Sequence, residues 1–269
     1  MKKNKFLPVV SSCILLVAGA LCAHAYEVGV VQHGGTIHGH VTFSGTPPAP
    51  LRFTVEKNPD VCGKERSLQK VETHNGFLAG AVIVLEGVQA GKPFPVKSFS
   101  GMVPGEGEFR YQGGKALGLQ VNTKGCNFGP FTGVIAVDEP VQFSNHDTIK
   151  HTLHTFAAQG KKGFILRTLH NQDIHPQDTV DRSFDSGKMR GSRVVRMTCN
   201  RHDFMQNWLY VVDHPYFGIT DKDGRFTVDQ VPPGTYTLLA WHPILGEQRQ
   251  EVRVTADGSV ESQFHFARP

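Results

Sequence analysis

After residue 25 the apolar residues of this chain come in short runs, and no stretch repeats them at helical spacing over several turns. That absence constrains the fold more than any other feature, because a chain without amphipathic helices must build its core from strands. The runs are rich in β-branched and aromatic residues and are separated by Gly, Pro, Asn and Asp. Residues 36–43 alternate, with Ile37, Val41 and Phe43 on one face, whereas residues 81–85 are continuously apolar. Further strands are expected at 134–137, 141–143, 194–198, 208–212, 216–220, 225–228, 235–241, 251–254 and 260–266. Turns are marked by Asp221-Lys222-Asp223-Gly224, read as a hairpin turn, by Pro232-Pro233-Gly234 and by Asp257-Gly258. The pattern predicts an all-β sandwich architecture. Residues 91–115, rich in Gly and Pro, read as a linker or long loop, and the polar residues 157–192 as an irregular excursion from a sheet.

The chain opens Met1-Lys2-Lys3-Asn4-Lys5, runs apolar over 6–21 and reaches Ala23-His24-Ala25. These are the marks of a secretory signal peptide over 1–25, with cleavage expected after Ala25. Pro8 and two serines interrupt the apolar stretch, which falls short of the roughly 20 residues a membrane span requires. No later run is long enough, so the mature chain is expected to be periplasmic or secreted, with no membrane span. The formal charge of +4 includes three lysines of the leader, which leaves the remainder nearly neutral. Basic blocks interleaved with aromatics are missing, which argues against nucleic acid as a partner. Of five cysteines, Cys13 and Cys22 fall in the leader. An odd remainder in an oxidising compartment suggests one disulfide and one thiol with another purpose. Cys62 and Cys126 are the plausible pair and Cys199 the spare.

The neighbours of Cys199 carry the chemistry. Cys199-Asn200-Arg201-His202-Asp203-Phe204-Met205 places Cys-x-x-His-x-x-Met in a tight loop between two expected strands. Far upstream, an expected strand ends at Asn145, with His151 six residues on and His154 three further. One thiolate and two imidazoles in a plane, with a weak thioether on the axis, suit copper in both oxidation states. The loop delivers three donors and a distant strand end delivers the fourth, so the fold sets the geometry. Zinc fits this set less well, because its sites seldom use methionine. A two-copper centre would need a second cysteine beside Cys199, and no haem attachment motif occurs. The spacing from Asn145 favours His151 over His154, which is left either beside the ligands or facing solvent. His38 and His40 share a strand face and are expected to be exposed; His170, His175, His214 and His242 are read as loop or surface residues. No Gly-x-Ser-x-Gly, phosphate-binding glycine loop or suggestive pair of carboxylates appears, so the chain is not expected to be an enzyme.

The middle segment resembles the plastocyanin/amicyanin-like cupredoxins, on Asn145, His151, Cys199, His202 and Met205, with His154 matching a second histidine that can follow the first. The resemblance implies one type 1 copper ion with His151, Cys199 and His202 equatorial and Met205 axial. Asn145, Thr152 and His154 would surround these ligands. It implies single-electron transfer, electron exchange near His202, whose edge is commonly exposed in cupredoxins, and a redox partner such as a periplasmic cytochrome or dehydrogenase. Thr152 stands where the family usually has Asn, Asp203 where it has Pro, and Phe131 where relatives often place His. Most of the mature chain also resembles exported methylamine utilisation proteins, through Val61-Cys62-Gly63, Lys124-Gly125-Cys126 with Phe128, and Asp213-His214-Pro215-Tyr216-Phe217.

The ends of the chain resemble the two halves of a carboxypeptidase regulatory-like domain, a transthyretin-like sandwich. The carriers are the run from Gly35 to Pro48 with 80–85, and the closing motifs at 220–228 and 231–238. The expected fold class is therefore all-β: a Greek-key cupredoxin β-sandwich inserted in, or docked on, a transthyretin-like β-sandwich. Its expected boundaries are 33–90 with 213–269 for the split sandwich, 91–115 for the linker and 116–212 for the copper domain. The rivals are a non-redox protein- or glycan-binding module and a copper storage or delivery protein.

Overall fold

The structure, a computed structural model, describes residues 26–94, 107–112, 115–138, 140–159 and 165–268. The expected signal peptide over 1–25 lies outside them, as does part of 91–115. The opening stretch forms β1 (Glu27–Val28), β2 (Gly35–Ser44), β3 (Leu51–Thr54), β4 (Glu65–Leu68), β5 (Thr73–His74), β6 (Phe77–Leu78), β7 (Val82–Glu86) and β8 (Ala90–Gly91). The middle forms β9 (Gly107–Gln112), β10 (Lys115–Thr123), β11 (Thr132–Ala136), β12 (Pro140–Asn145), β13 (His151–Gln159), β14 (Ile165–Ile174), β15 (Thr179–Ser183), β16 (Val194–Thr198) and β17 (Gln206–Val212). The end forms β18 (Phe217–Ile219), β19 (Arg225–Val231), β20 (Gly234–His242), β21 (Gly246–Val254) and β22 (Ser259–Ala267). Among the described residues the only helices are two single turns, α1 (Pro59–Cys62) and α2 (Ser186–Met189), and none is long and apolar enough to cross a membrane. The protein is an all-β sandwich fold.

Strands from the two ends of the chain share two sheets. One has the order β18-β7-β20-β21; in the other, β2 pairs with β19, β6 and β22. Ile37, Val41 and Phe43, the inward face of β2, pack between these sheets with Leu78, Ile83, Leu85, Val228 and Phe264. The middle of the chain forms a second pair of sheets, β15-β12-β10-β9 and β11-β17-β16-β13-β14, and passes between them repeatedly.

The continuous apolar run at 81–85 is explained by burial on both faces. Ala81, Ile83 and Leu85 enter the core built from the chain ends, while Val82 and Val84 belong to the core of the middle sheets. β20 repeats the division, with Leu238 and Ala240 on one side and Leu239 and Trp241 on the other. A strand with successive side chains on opposite faces needs this composition when both faces are covered. Trp241 meets Tyr210 of β17 across the seam, ring centroids 5.2 Å apart.

Several expectations are corrected. Residues 157–192 are not an irregular excursion: they hold the end of β13, β14, β15 and α2. β14 and β15 are edge strands, and an edge strand half open to water needs no apolar alternation. The expected linker 91–115 likewise contains the edge strand β9. Asp221-Lys222-Asp223-Gly224 is a tight turn, but β18 and β19 on either side lie in different sheets, so it is a crossover rather than a hairpin turn. His214 and His242 are buried, and His170 is half-buried on β14, not on a loop. Each of the two buried rings precedes a proline and uses Nδ1 to accept the N–H two residues on, from Tyr216 and Ile244, both at 3.2 Å. The imidazole thus caps its own turn, as an Asn side chain would.

Candidate metal centre

The site begins at the end of β12. Asn145 Oδ1 accepts hydrogen bonds from the Thr123 hydroxyl at 2.8 Å and from the Asp147 N–H at 3.0 Å. Its Nδ2 donates to the carbonyls of Ile149 at 2.8 Å and Ile174 at 3.0 Å. One buried amide therefore ties β10, the loop 146–150 and β14 together, and this sets where β13 starts. β13 starts with His151, which is fully buried. Asp147, also buried, accepts the N–H groups of Gly125 at 2.6 Å and Cys126 at 2.8 Å, and its Oδ2 lies 2.9 Å from His151 Nε2. With Nε2 facing a carboxylate, Nε2 carries the proton and Nδ1 keeps its lone pair.

The second part is the loop between β16 and β17. The Cys199 N–H donates to the Met205 carbonyl at 3.2 Å, and the Met205 N–H to the His202 carbonyl at 3.0 Å. These bonds close the loop so that Cys199 and His202 project to the same side. The Cys199 sulfur lies 3.7 Å from His202 Nδ1 and 3.9 Å from His151 Nδ1, and it accepts the Thr152 N–H at 3.3 Å. The donor atoms of His151, Cys199 and His202 all lie within 4.8 Å of one another, and all three residues are buried. Met205, in the same loop, has no exposed surface. Cys126, Asp147 and His151 also cluster, but Cys126 is bonded to Cys62 and has no thiolate to offer.

His154, on the same strand as His151, does not join the group: its Nδ1 lies 2.7 Å from Asn200 Oδ1 and its ring stacks near Phe156. Thr152 contributes its backbone to the sulfur, while its hydroxyl donates to Asp173 at 2.8 Å.

His202 is only 2% exposed, which corrects the expectation of an open histidine edge. The segment from β3 to β4 lies over it. The backbone of Lys57 accepts a hydrogen bond from its ring, and Cys62 Sγ sits 3.7 Å from Nε2. Phe53 packs edge-on against Phe204, and the Arg66 guanidinium lies over the same ring. Arg66 also donates to the carbonyls of Cys62, Gly125 and Cys126, spanning the Cys62–Cys126 disulfide.

Burial, followed by the nearby His151, pushes His202 down to about 4. Burial also lowers His151, against the opposing pull of Asp147. Both rings are therefore neutral at pH 7. Two neutral imidazoles and one sulfur, assembled away from water, form a ready donor set for a soft or borderline cation. Beside them opens a polar depression of about 490 Å³, lined by Lys57, Thr152, Asn171, Asp173, Asn200 and Arg201 among others. Lys150 lies 2.8 Å from Asp173, and hydrogen bonds from Lys150 and Thr152 hold that carboxyl down at about 2. The residues that sequence reasoning passed over are Asp147, Lys57 and Arg66. Only Asp147 left a signal, lying between Asn145 and His151 in the Asn145-His146-Asp147 run.

The family model for polysaccharide lyase family 4, domain II, matches residues 187–262. No curated protein matches the chain. Among solved structures, a methionine variant of amicyanin in the Cu(I) state is similar over 35% of this chain and 80% of its own, with 17% identity and a TM-score of 0.27. An oxidised proline variant of amicyanin is similar over the same shares, with 18% identity and a TM-score of 0.27. A purple cupredoxin from Nitrosopumilus maritimus is similar over 35% of this chain and 98% of its own, with 18% identity and a TM-score of 0.27.

Proposed function

We propose that this chain is an exported protein that binds one copper ion and passes single electrons. The observation that carries the reading is the convergence of both imidazole Nδ1 atoms on the Cys199 sulfur. His151, Cys199, His202 and Met205 would hold the ion, and bound copper would supply one-electron chemistry. The chain's own groups define the rest. Asp147 holds His151, the Lys57 carbonyl holds His202, and the Thr152 N–H withdraws charge from the sulfur. Rigid, buried donors keep reorganisation small when an electron arrives or leaves.

Electrons would exchange across the depression beside Thr152, whose N–H is one hydrogen bond from the sulfur. Lys57, Lys150 and Arg201 outnumber Asp173 around that surface, which suits a redox partner with an acidic face, such as a periplasmic cytochrome or dehydrogenase. In this reading the middle sheets are a copper domain inserted in a sandwich formed by the two ends of the chain, and residues 1–25 are a cleaved leader.

Titration of the purified protein with Cu(II) tests the proposal. The expected result is an intense visible sulfur-to-copper band, bleached by ascorbate and restored by ferricyanide, and lost in Cys199→Ser. A colourless protein, or a Cys199→Ser variant that binds and cycles copper like the parent, would overturn it and leave the binding-module reading.

A further inference from the structure

The cover over His202 belongs to neither pair of sheets. Among the described residues β3 and β4 pair only with each other, so the hairpin and α1 between them draw no stability from a larger sheet. An isolated two-stranded hairpin is marginal in water. Val55 and Phe53 pack this one against the core of the middle sheets, and its covalent tie is at one place. Cys62, at the end of α1, is bonded to Cys126, in the loop after β10. Arg66 spans the same bond through three carbonyls.

That bond reaches both histidines of the metal centre, His202 directly and His151 through Asp147. On one side, Cys62 Sγ lies behind His202, 3.7 Å from Nε2. On the other, the Cys126 N–H donates to Asp147 Oδ2, the same oxygen that faces His151 Nε2. A single covalent link therefore lies against one imidazole and fixes the carboxylate that orients the other.

From this geometry we infer that the Cys62–Cys126 disulfide is a latch on the metal centre. This rests on the reading of His151, Cys199 and His202 as ligands. Bonded, the latch holds residues 53–66 over His202 and keeps Cys199 from solvent. Reduced, it frees the hairpin to lift, which opens the site to ligand exchange. A dithiol supplies the two electrons and two protons: it becomes a cyclic disulfide, the S–S bond of Cys62–Cys126 breaks, and each sulfur ends as a thiol. Cys62, Cys126, Lys57 and Arg66 are positioning residues in this scheme, since they act through the histidines.

The test compares the full chain with its disulfide intact, the same chain after brief dithiol treatment, and the pair Cys62→Ser with Cys126→Ser. The first readout needs no metal: the rate at which iodoacetamide alkylates Cys199, resolved by peptide mass spectrometry. It should rise at least about tenfold when the latch is open, as expected when a locally closed segment becomes free to open. The second is transfer of Cu(I) to bicinchoninate from loaded protein, expected to quicken by a similar factor. Far-UV circular dichroism checks the fold, and where the serine pair does not fold, the dithiol-treated chain decides. Equal Cys199 alkylation rates with the bond intact and broken overturn the latch. Failure of every form to bind copper, with alkylation still accelerated, sinks the copper reading and leaves the latch standing as a cover over Cys199.

Discussion

At the residue scale, Asp147 does more than its place in a loop suggests. It is buried, accepts two backbone N–H groups and faces His151 Nε2. Outer partners of this kind fix the tautomer and orientation of a metal-binding imidazole, and losing one typically costs about 10–100-fold in affinity. Asp147→Asn should weaken Cu(I) binding by about that factor in a chelator competition, because an amide can satisfy only part of the set. An unchanged affinity would show that His151 needs no carboxylate behind it. Cys199, His202 and Met205 could be read together because seven consecutive residues hold them. Asp147 could not, since an acidic residue two places after a strand-end Asn reads as an ordinary turn residue until Cys126 is brought beside it.

At the element scale, the sheet β18-β7-β20-β21 is the common wall of the molecule. Leu238 and Leu239 are neighbours on β20 and both fully buried, but they enter different cores. Either residue replaced by Ala should therefore cost about 2–5 kcal/mol in urea unfolding. If the middle sheets were only tethered to the rest, Leu239→Ala would be nearly neutral while Leu238→Ala stayed costly. The same scale shows which strands are legible. β2 and β7 announce themselves by alternation or continuous apolarity, whereas edge strands β9, β14 and β15 do not, because water finishes their hydrogen bonding on one side. β13 is central yet was passed over. Its buried positions include His151, Thr152 and Thr155, polar residues that a core strand carries here around the site.

At the scale of the whole molecule, several histidines are folded into places that exclude their charged form. Burial pushes His242 down to about 3. Burial, then Arg182 and Lys188, pushes His170 down to about 4. An unfolded chain protonates these rings near 6.5, so between that value and the folded ones the unfolded state binds more protons. Their contribution is fully present above about pH 6.5 and is lost as pH falls toward 4 and then 3. Metal-free protein should lose stability steadily through this window in pH-resolved urea titrations. His242→Asn, which can still accept the Ile244 N–H, should show a shallower slope; an identical slope would mean that His242 does not titrate on unfolding.

The sequence by itself determined the all-β class and the chemistry on offer: a sulfur, an imidazole and a thioether within one loop. Both follow from local properties, since side-chain periodicity and donor type are carried by neighbouring residues. Only the tertiary structure decided that His151 reaches the Cys199 sulfur, that Asp147 stands behind it, and that a hairpin from far earlier in the chain buries His202. The first and last of these join residues far apart in the chain, and the short reach from Asp147 to His151 depends on how Asn145 and Cys126 hold the loop between them; no local pattern encodes a register between distant strands.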